Sequence, residues 1–145
     1  MSRLEERIAK DSRRLIDFYQ EVFQCKSIGE TRDLRGERLD RMTGLYGAHL
    51  TSEHLCLPGY GEDHPTLEIF SYDRMEESCP LLNRCGIAYI AFEVDDVEET
   101  LQLLLKKGGS QIGELVRTKY PDGRSAVFVY AADCEGNIVE LLSWS

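Results

Sequence analysis

A carboxylate interrupts an apolar run near the end of the sequence. The segment "DCEGNIVELLSW" (133–144) begins with turn-forming residues and continues as a short predicted strand over 138–142. Glu140 lies in the middle of that strand. The segment "TLEIF" (66–70) places Glu68 in a similar strand. A carboxylate held on a strand can give or accept a proton, so Glu68 and Glu140 are the first candidates for catalytic residues.

The strand predicted over 48–57 contains two of the three histidines. Its leucines at 55 and 57 should pack under a helix with the leucine and isoleucine of "TLEIF". Antiparallel neighbours keep their side chains on a common face, which leaves His54 and Cys56 on the face of Glu68. With a hairpin across "PGYGEDHP", His54 should lie almost opposite Glu68, either as a site residue or as its hydrogen-bond partner. His49 has the other parity, and His64 lies in the loop.

Two further groups have both a functional and a structural interpretation. Arg35, Arg38 and Arg41 in "LRGERLDRMTG" could clamp an anionic substrate, but acidic residues alternate with them. We therefore expect a charge-balanced surface helix there. Cys56 would be reactive only with a stabilised thiolate, and a small buried apolar residue is the simpler interpretation.

The composition limits the class of protein. A length of 145 residues suits one domain or two half-domains sharing a core, and 42% hydrophobic residues are typical of a globular protein. A net charge of −9 argues against a nucleic-acid partner, since phosphate backbones are held by Lys and Arg. No apolar run approaches the roughly 20 residues of a membrane helix, and no apolar signal segment is visible. Five cysteines without a CxxC pair indicate reduced thiols and a cytoplasmic location.

An internal repeat organises these candidates. Helical periodicity predicts helices over 12–23 and 96–107, and both helical segments run into the same letters, "IGE". Asp11 or Ser12 can cap the first helix, and Gly108 or Gly109 can end the second. Strands are predicted before the second helix (86–94) and after both helices. They follow at 27–32, 48–57 and 66–72 after the first, and at 112–118, 126–131 and 138–142 after the second. We therefore expect one α+β domain of two βαβββ modules, about 1–75 and 85–145, with a linker near 76–84.

The segments "DSRRLIDFYQEVF", "TLEIF", "IAFEVDDVEET" and "DCEGNIVELL" resemble the vicinal oxygen chelate superfamily. This family includes glyoxalase I, methylmalonyl-CoA epimerase, extradiol dioxygenases, and fosfomycin- and bleomycin-resistance proteins. The resemblance covers nearly the whole sequence. It implies two mostly antiparallel sheets curled into an open cup, whose first and last strands supply four inward ligands for one divalent metal.

Residue by residue, the resemblance places Glu68 and Glu140 at the two carboxylate ligand positions. The two usual histidine positions fall on Leu4, with Glu5 beside it, and on Tyr89. Leucine cannot bind a cation, and neutral tyrosine is a poor ligand for zinc or nickel. We therefore expect Glu68, Glu140, Tyr89 and His54 to face one cavity. That cavity should hold at most a weakly bound metal, with His54 as a third ligand.

The chemistry implied by the resemblance is that of a lyase or isomerase. Such an enzyme moves a proton next to a carbonyl group, with Glu68 and Glu140 as base and acid. Without a metal, the Tyr89 hydroxyl or a protonated His54 could hold the developing oxyanion. The alternative is a non-catalytic binding protein of the bleomycin-resistance type, whose negative charge would suit a cationic compound. A third possibility is a regulatory domain with a vestigial cup. Family habit and unpaired edge strands indicate a homodimer.

Overall fold

A computed structural model describes residues 4–61 and 64–145 of the chain. It divides into two units, Met1–Glu77 and Ser78–Ser145, and each unit contains one four-stranded sheet. The first unit consists of β1 (Leu4–Ile8), α1 (Ser12–Phe23), β2 (Lys26–Arg35), α2 (Glu37–Thr43), β3 (His49–Cys56) and β4 (Thr66–Tyr72). Its strand order is β1-β4-β3-β2. β1 is parallel to β4, and the other pairs are antiparallel.

The second unit repeats this arrangement. It consists of β5 (Ile90–Glu93), α3 (Val97–Lys106), β6 (Ser110–Lys119), β7 (Ser125–Ala132) and β8 (Ile138–Trp144). Its strand order is β5-β8-β7-β6, again with the first strand parallel to the last. The predicted α+β fold of two βαβββ modules is confirmed. One boundary was wrong: the strand predicted from Gly86 starts at Ile90. Ile90 pairs with Val139, and β8 begins only one residue before Val139, so earlier residues have almost no partner strand.

The helices begin and end where local chemistry predicts. The Asp11 side chain accepts a hydrogen bond from Arg14 N at 3.1 Å, and Asp96 accepts one from Glu99 N at 2.9 Å. Gly108, with φ of 96°, takes the left-handed conformation after α3. Leu15 and Tyr19 on α1 are fully buried, and burial of a large apolar side chain contributes about 1.5–3 kcal/mol. Each helix thereby anchors one face of its sheet.

Alternation along the strands separates this helix-covered face from the open face. Leu55 pairs with Leu67, and both are fully buried on the α1 side of the sheet. His54 pairs with Glu68 on the other side. The predicted parity of β3 and β4 is therefore right, and the open face carries the polar candidates.

The repeated "IGE" letters mark a bulge in each unit. Pairing of β2 with β3 shifts between Ile28 and Arg32, and pairing of β6 with β7 shifts between Ile112 and Val116. The glycine of each motif has positive φ, 73° in the first unit and 66° in the second. Such conformations are easy for glycine and rare for other residues. The bulges therefore determine at which residue β2 and β6 resume pairing with the neighbouring strand, Arg32 in β2 and Val116 in β6.

The last turn holds β8 in place. Asp133 is 2% exposed, and its Oδ1 accepts hydrogen bonds from Glu135 N at 2.9 Å and Asn137 N at 3.0 Å. This satisfies the backbone of "DCEGN" before the strand begins. The longest helix, α1, has 12 residues, and no helix within the described ranges is long and apolar enough to cross a membrane.

Candidate functional site

Glu68 is a buried carboxylate with two partners in the first unit. It is 3% exposed. Arg32 donates a hydrogen bond from Nη2 to Oε1, and His54 Nε2 lies 3.1 Å from Oε2. A buried carboxylate is costly unless charged or polar partners compensate it, and here both oxygens are engaged. Glu68 is thus held in one orientation by partners at both of its oxygens.

Arg32 is held by three neighbours. Besides the contact with Glu68, its Nε donates to Ser52 Oγ at 3.2 Å, and its Nη2 lies 2.8 Å from His54 Nε2. The side chain is 46% exposed. Its second terminal nitrogen, Nη1, makes no hydrogen bond to the described part of the chain. The guanidinium is therefore fixed in direction while one donor group stays available.

The ring of His54 cannot satisfy both neighbours at once. A protonated Nε2 donates to Glu68, whereas an unprotonated Nε2 accepts from Arg32. In the first arrangement a neutral ring carries its lone pair on Nδ1, which makes no hydrogen bond among the described residues. The side chain is 28% exposed. The tautomer of His54 therefore decides which of these two partners its Nε2 engages.

The first strand brings a second carboxylate to the face of Glu68. The parallel register pairs Leu4 with Thr66 and Glu6 with Glu68. Glu5, which follows Leu4 in the sequence, pairs with Leu67 and so shares the helix-covered face. Glu6 is exposed on the Glu68 face. Leu4 has the same parity as Glu6, and its side chain supplies no donor atom.

Glu140 lies opposite a tyrosine in the second unit. It pairs with Tyr130 across β7 and β8 and with Ala91 on β5. The carboxylate is half-buried and makes no hydrogen bond or ion pair with any residue in 4–61 or 64–145. The Tyr130 hydroxyl donates to the Tyr89 hydroxyl at 3.3 Å, with the two rings edge to face at 5.1 Å. Tyr89 thus lies near β8, in the same unit as Glu140.

The Tyr130 phenol holds its proton tightly. Its hydrogen bond to Tyr89, burial, and the negative charge of Glu140 together raise the pKa of Tyr130 to about 12. Each of these effects disfavours the phenolate. Tyr130 therefore serves as a neutral hydrogen-bond donor throughout the physiological pH range.

The two units place different residues at equivalent register positions. His54 and Tyr130 each lie opposite the glutamate of the last strand. Arg32 and Val116 are each the first paired residue after the bulge. The shared fold therefore does not require an arginine at this point. Among the described residues of the two sheets, of the two last-strand glutamates only that of the first unit, Glu68, has a cationic side chain beside it, that of Arg32.

The remaining sequence candidates lie away from Glu68. His49 Nε2 is 2.9 Å from Asp33 Oδ1, and it has the opposite parity, as predicted. The predicted surface helix is confirmed as α2, with Arg38 and Arg41 exposed, although Arg35 ends β2 instead. Cys56 is half-buried on the Glu68 face, and His64 lies in the loop before β4.

The donor atoms on this face do not fit a resident divalent metal. Metal ligation needs free carboxylate or imidazole lone pairs, and both oxygens of Glu68 already face Arg32 or His54. A divalent ion on Glu68 would also lie within a few ångströms of the guanidinium charge. Among the described residues, no three His, Cys, Asp or Glu side chains stand close enough to share a metal ion.

Sequence reasoning missed Arg32 and Tyr130. The signal for Tyr130 was available, because strand alternation in β7 places it opposite Glu140 once the β7–β8 hairpin is assumed. The signal for Arg32 was the repeated "IGE", which marks a bulge and so resets the pairing of β2.

Comparison with known proteins supports the fold. The family model of the Glyoxalase/Bleomycin resistance protein/Dioxygenase superfamily matches residues 6–141. No curated protein matches this sequence significantly.

Several solved structures resemble this one. A glyoxalase family protein from Bacillus cereus has 22% identity and a TM-score of 0.82, covering 99% of this chain and 93% of its own. The fosfomycin resistance protein FosX from Listeria monocytogenes, solved with Mn(II) and sulfate, has 16% identity and a TM-score of 0.60, covering 99% and 90%. A glyoxalase I variant from Zea mays has 20% identity and a TM-score of 0.63, covering 96% and 43%. At these identities the likeness is one of fold, and the fold supports many chemistries.

Proposed function

The chain belongs to the Glyoxalase/Bleomycin resistance protein/Dioxygenase superfamily, and we propose that it is a glyoxalase-like lyase or isomerase of small molecules. Its reaction is proton transfer next to a carbonyl group, carried out by side chains of the open sheet faces without a resident metal. The solved structures that share its fold include a glyoxalase I variant and a fosfomycin resistance protein, which supports this proposal.

The observation that carries the proposal is the contact between His54 Nε2 and Glu68 Oε2, at 3.1 Å. A buried carboxylate that accepts from one ring nitrogen orients the imidazole and leaves the other nitrogen for the substrate. An imidazole can take up or release a proton near neutral pH, as a general acid–base catalyst must. Glu68 is then a positioning residue, and His54 is the base.

The proposed step is balanced without an oxidant or reductant. His54 Nδ1 takes a proton from the carbon next to the carbonyl. The electrons of that C–H bond form a carbon–carbon double bond, and the carbonyl π electrons move to oxygen to give an enolate. The protonated ring then returns the proton to the same carbon or to a neighbouring atom. In the second unit, Glu140 is a candidate acid–base group and Tyr89 is a candidate donor to a substrate oxygen.

A second candidate is favoured by the charge of the protein. The net charge of −9 suits a cationic ligand, and a protein of the bleomycin-resistance type would bind such a compound without transforming it. In that case the half-buried Glu140, which is free of any cation in the described structure, is the natural counter-ion.

Proton exchange in D₂O tests the first candidate without knowledge of the natural substrate. Proton NMR would follow loss of the α-proton signal in a panel of hydroxyketones, hemithioacetals and acyl thioesters. We expect exchange with the wild-type protein and a decrease of roughly 10²–10⁴-fold in H54Q, which keeps a donor for Glu68 but has no base.

H49Q is the matched control, because His49 has the opposite strand parity to His54 and lies beside Asp33. We expect H49Q to catalyse exchange of the substrate proton at the wild-type rate. Exchange that survives in H54Q contradicts the role of His54. Absence of exchange across the panel, together with saturable binding of a cationic compound, establishes the binding protein instead.

A further inference from the structure

We propose that the Arg32 guanidinium is the resident cation of the first unit and stands where a divalent metal would otherwise bind Glu68. Its Nη1 then donates to the substrate oxygen that becomes negatively charged. This inference rests on the proposed function only where it identifies the substrate oxygen that Nη1 contacts. The replacement of a metal by Arg32 stands on the geometry of the first unit.

Arg32 lies against a carboxylate and an imidazole. Its Nη2 donates to Glu68 Oε1 and lies 2.8 Å from His54 Nε2, which donates to Glu68 Oε2 in the arrangement that the proposed function requires. These are the two side-chain types that commonly ligate divalent transition metals. The third contact, from Nε to Ser52 Oγ at 3.2 Å, prevents the guanidinium plane from rotating away.

The register places Glu68 between a glutamate of β1 and a histidine of β3. Glu6 pairs with Glu68 across β1 and β4, and His54 pairs with Glu68 across β3 and β4. All three residues share the open face. Without Arg32, Glu68 Oε1 would lose its cationic partner and would be open to a divalent cation that His54 and water could also contact. With Arg32 in place, the guanidinium charge repels such an ion, and its Nη2 already occupies Glu68 Oε1.

The fold does not impose this arginine. Val116 holds the equivalent register position in the second unit, after the same kind of bulge. The same backbone therefore accepts an apolar side chain there. The three polar contacts of Arg32 therefore belong to the chemistry of the first unit and not to the shared backbone.

The exposed edge of the guanidinium defines the ligand chemistry. The Arg32 side chain is 46% exposed, whereas Glu68 is buried at 3%. A ligand therefore meets the donor Nη1 and not the carboxylate. Because Arg32 and Glu68 together carry no net charge, we expect Nη1 to select a directional acceptor such as a carbonyl or enolate oxygen. The hydrogen bond from Nη1 becomes stronger as negative charge develops on that oxygen.

Titration with Mn²⁺, followed by electron paramagnetic resonance and calorimetry, tests the replacement independently of turnover. We expect R32Q to bind one Mn²⁺ per chain at least roughly tenfold more tightly than the wild type, because a like charge within a few ångströms has been removed. R32Q/E68Q should lose this gain. R38Q, which removes an exposed arginine of α2, should match the wild type.

Two results would overturn the proposal. One is a tightly held Mn²⁺ in each wild-type chain, which decides the matter even if R32Q fails to fold. The other is a folded R32Q whose Mn²⁺ affinity equals that of the wild type. R32K keeps a cation at this position and should show no gain, so a gain in R32K also counts against the proposal.

The same variants separate this inference from the proposed function. If R32Q gains Mn²⁺ while no compound in the D₂O panel exchanges its proton, Arg32 still replaces a metal, but the enzyme proposal fails. If wild-type exchange occurs and R32Q alters neither exchange nor Mn²⁺ binding, the enzyme proposal stands and the role of Arg32 is refuted.

Discussion

Arg32 occupies in the first unit the register position that Val116 occupies in the second. Both residues follow a glycine bulge and rejoin the ladder opposite the middle of the neighbouring strand, Arg32 opposite Ser52 and Val116 opposite Phe128. The two sheets share a backbone plan but differ in charge at this point. The first unit pairs its glutamate with a cation, and the second leaves Glu140 facing a neutral tyrosine. The chemistry of the two open faces is therefore different.

Glu140 distinguishes an enzyme from a binding protein. We expect E140Q to reduce proton exchange by at least roughly 10²-fold if Glu140 is an acid–base group, with little change in ligand affinity. In a binding protein for cations, the same substitution should mainly raise the dissociation constant. The measurements are exchange rates by NMR and affinities by calorimetry on the same compounds. E114Q, at an exposed site on β6, should change neither.

Tyr89 controls the titration of Tyr130. Its pKa of about 12 depends first on the hydrogen bond to Tyr89, so we expect Y89F to lower the Tyr130 pKa toward the ordinary value near 10. A pKa raised on folding gives stability that is present below the unfolded value and lost as pH rises through the folded one. The unfolding free energy should therefore fall between about pH 10 and 12, less so in Y89F. NMR of ring-labelled tyrosine would measure the shift, and an unchanged Tyr130 titration in Y89F would contradict it.

The cysteines should differ strongly in reactivity. Burial raises the pKa of the Cys25 thiol to about 12, whereas Cys79 and Cys85 are exposed. Only the thiolate is alkylated rapidly. At about pH 8, near the ordinary thiol pKa, iodoacetamide should modify the two exposed cysteines first and Cys25 only after unfolding in urea. Mass spectrometry of the resulting peptides checks the order, and early labelling of Cys25 in the folded protein would disagree with its burial.

Gly109 is required by packing. A Cβ at this position would lie 2.5 Å from the Ala132 carbonyl oxygen and 2.5 Å from Leu104 Cδ2. We expect G109A to lower the free energy of unfolding by about 1–3 kcal/mol, the usual cost of overpacking. Chemical denaturation measures this change. G61A is the matched control, since no atom of the described residues lies within 4 Å of a Cβ there. A loss as large as that of G109A would point to a backbone effect instead.

The protein should form a homodimer. β1 and β2 are the edges of the first sheet, and β5 and β6 are the edges of the second. Edge strands favour pairing or cover by another chain, and Leu4 and Ile8 of β1 are 49% and 48% exposed. Sedimentation velocity at micromolar concentration should give the mass of two chains. A mass of one chain at that concentration would contradict the predicted homodimer.

The sequence by itself determined the elements and their faces. Helical periodicity located α1 and α3, because the apolar residues that face a core recur with the helical repeat. The two-residue repeat of strands placed His54 opposite Glu68, since β3 and β4 are neighbours joined by a short loop. These relationships involve residues close in the chain. Roles for Glu68, Glu140, Tyr89 and His54 in one cavity stay predictions.

Only the tertiary structure decided which distant residues meet. Glu6, and not Glu5, shares the face of Glu68, because β1 and β4 are parallel strands about 60 residues apart in sequence, whose register no local pattern sets. Arg32 reaches Glu68 because the bulge at Gly29 inserts unpaired residues into β2. Tyr130 meets Tyr89 because β5 and β7 lie on either side of β8 in the sheet. Register between remote strands depends on the packing of the whole sheet, which periodicity alone does not encode.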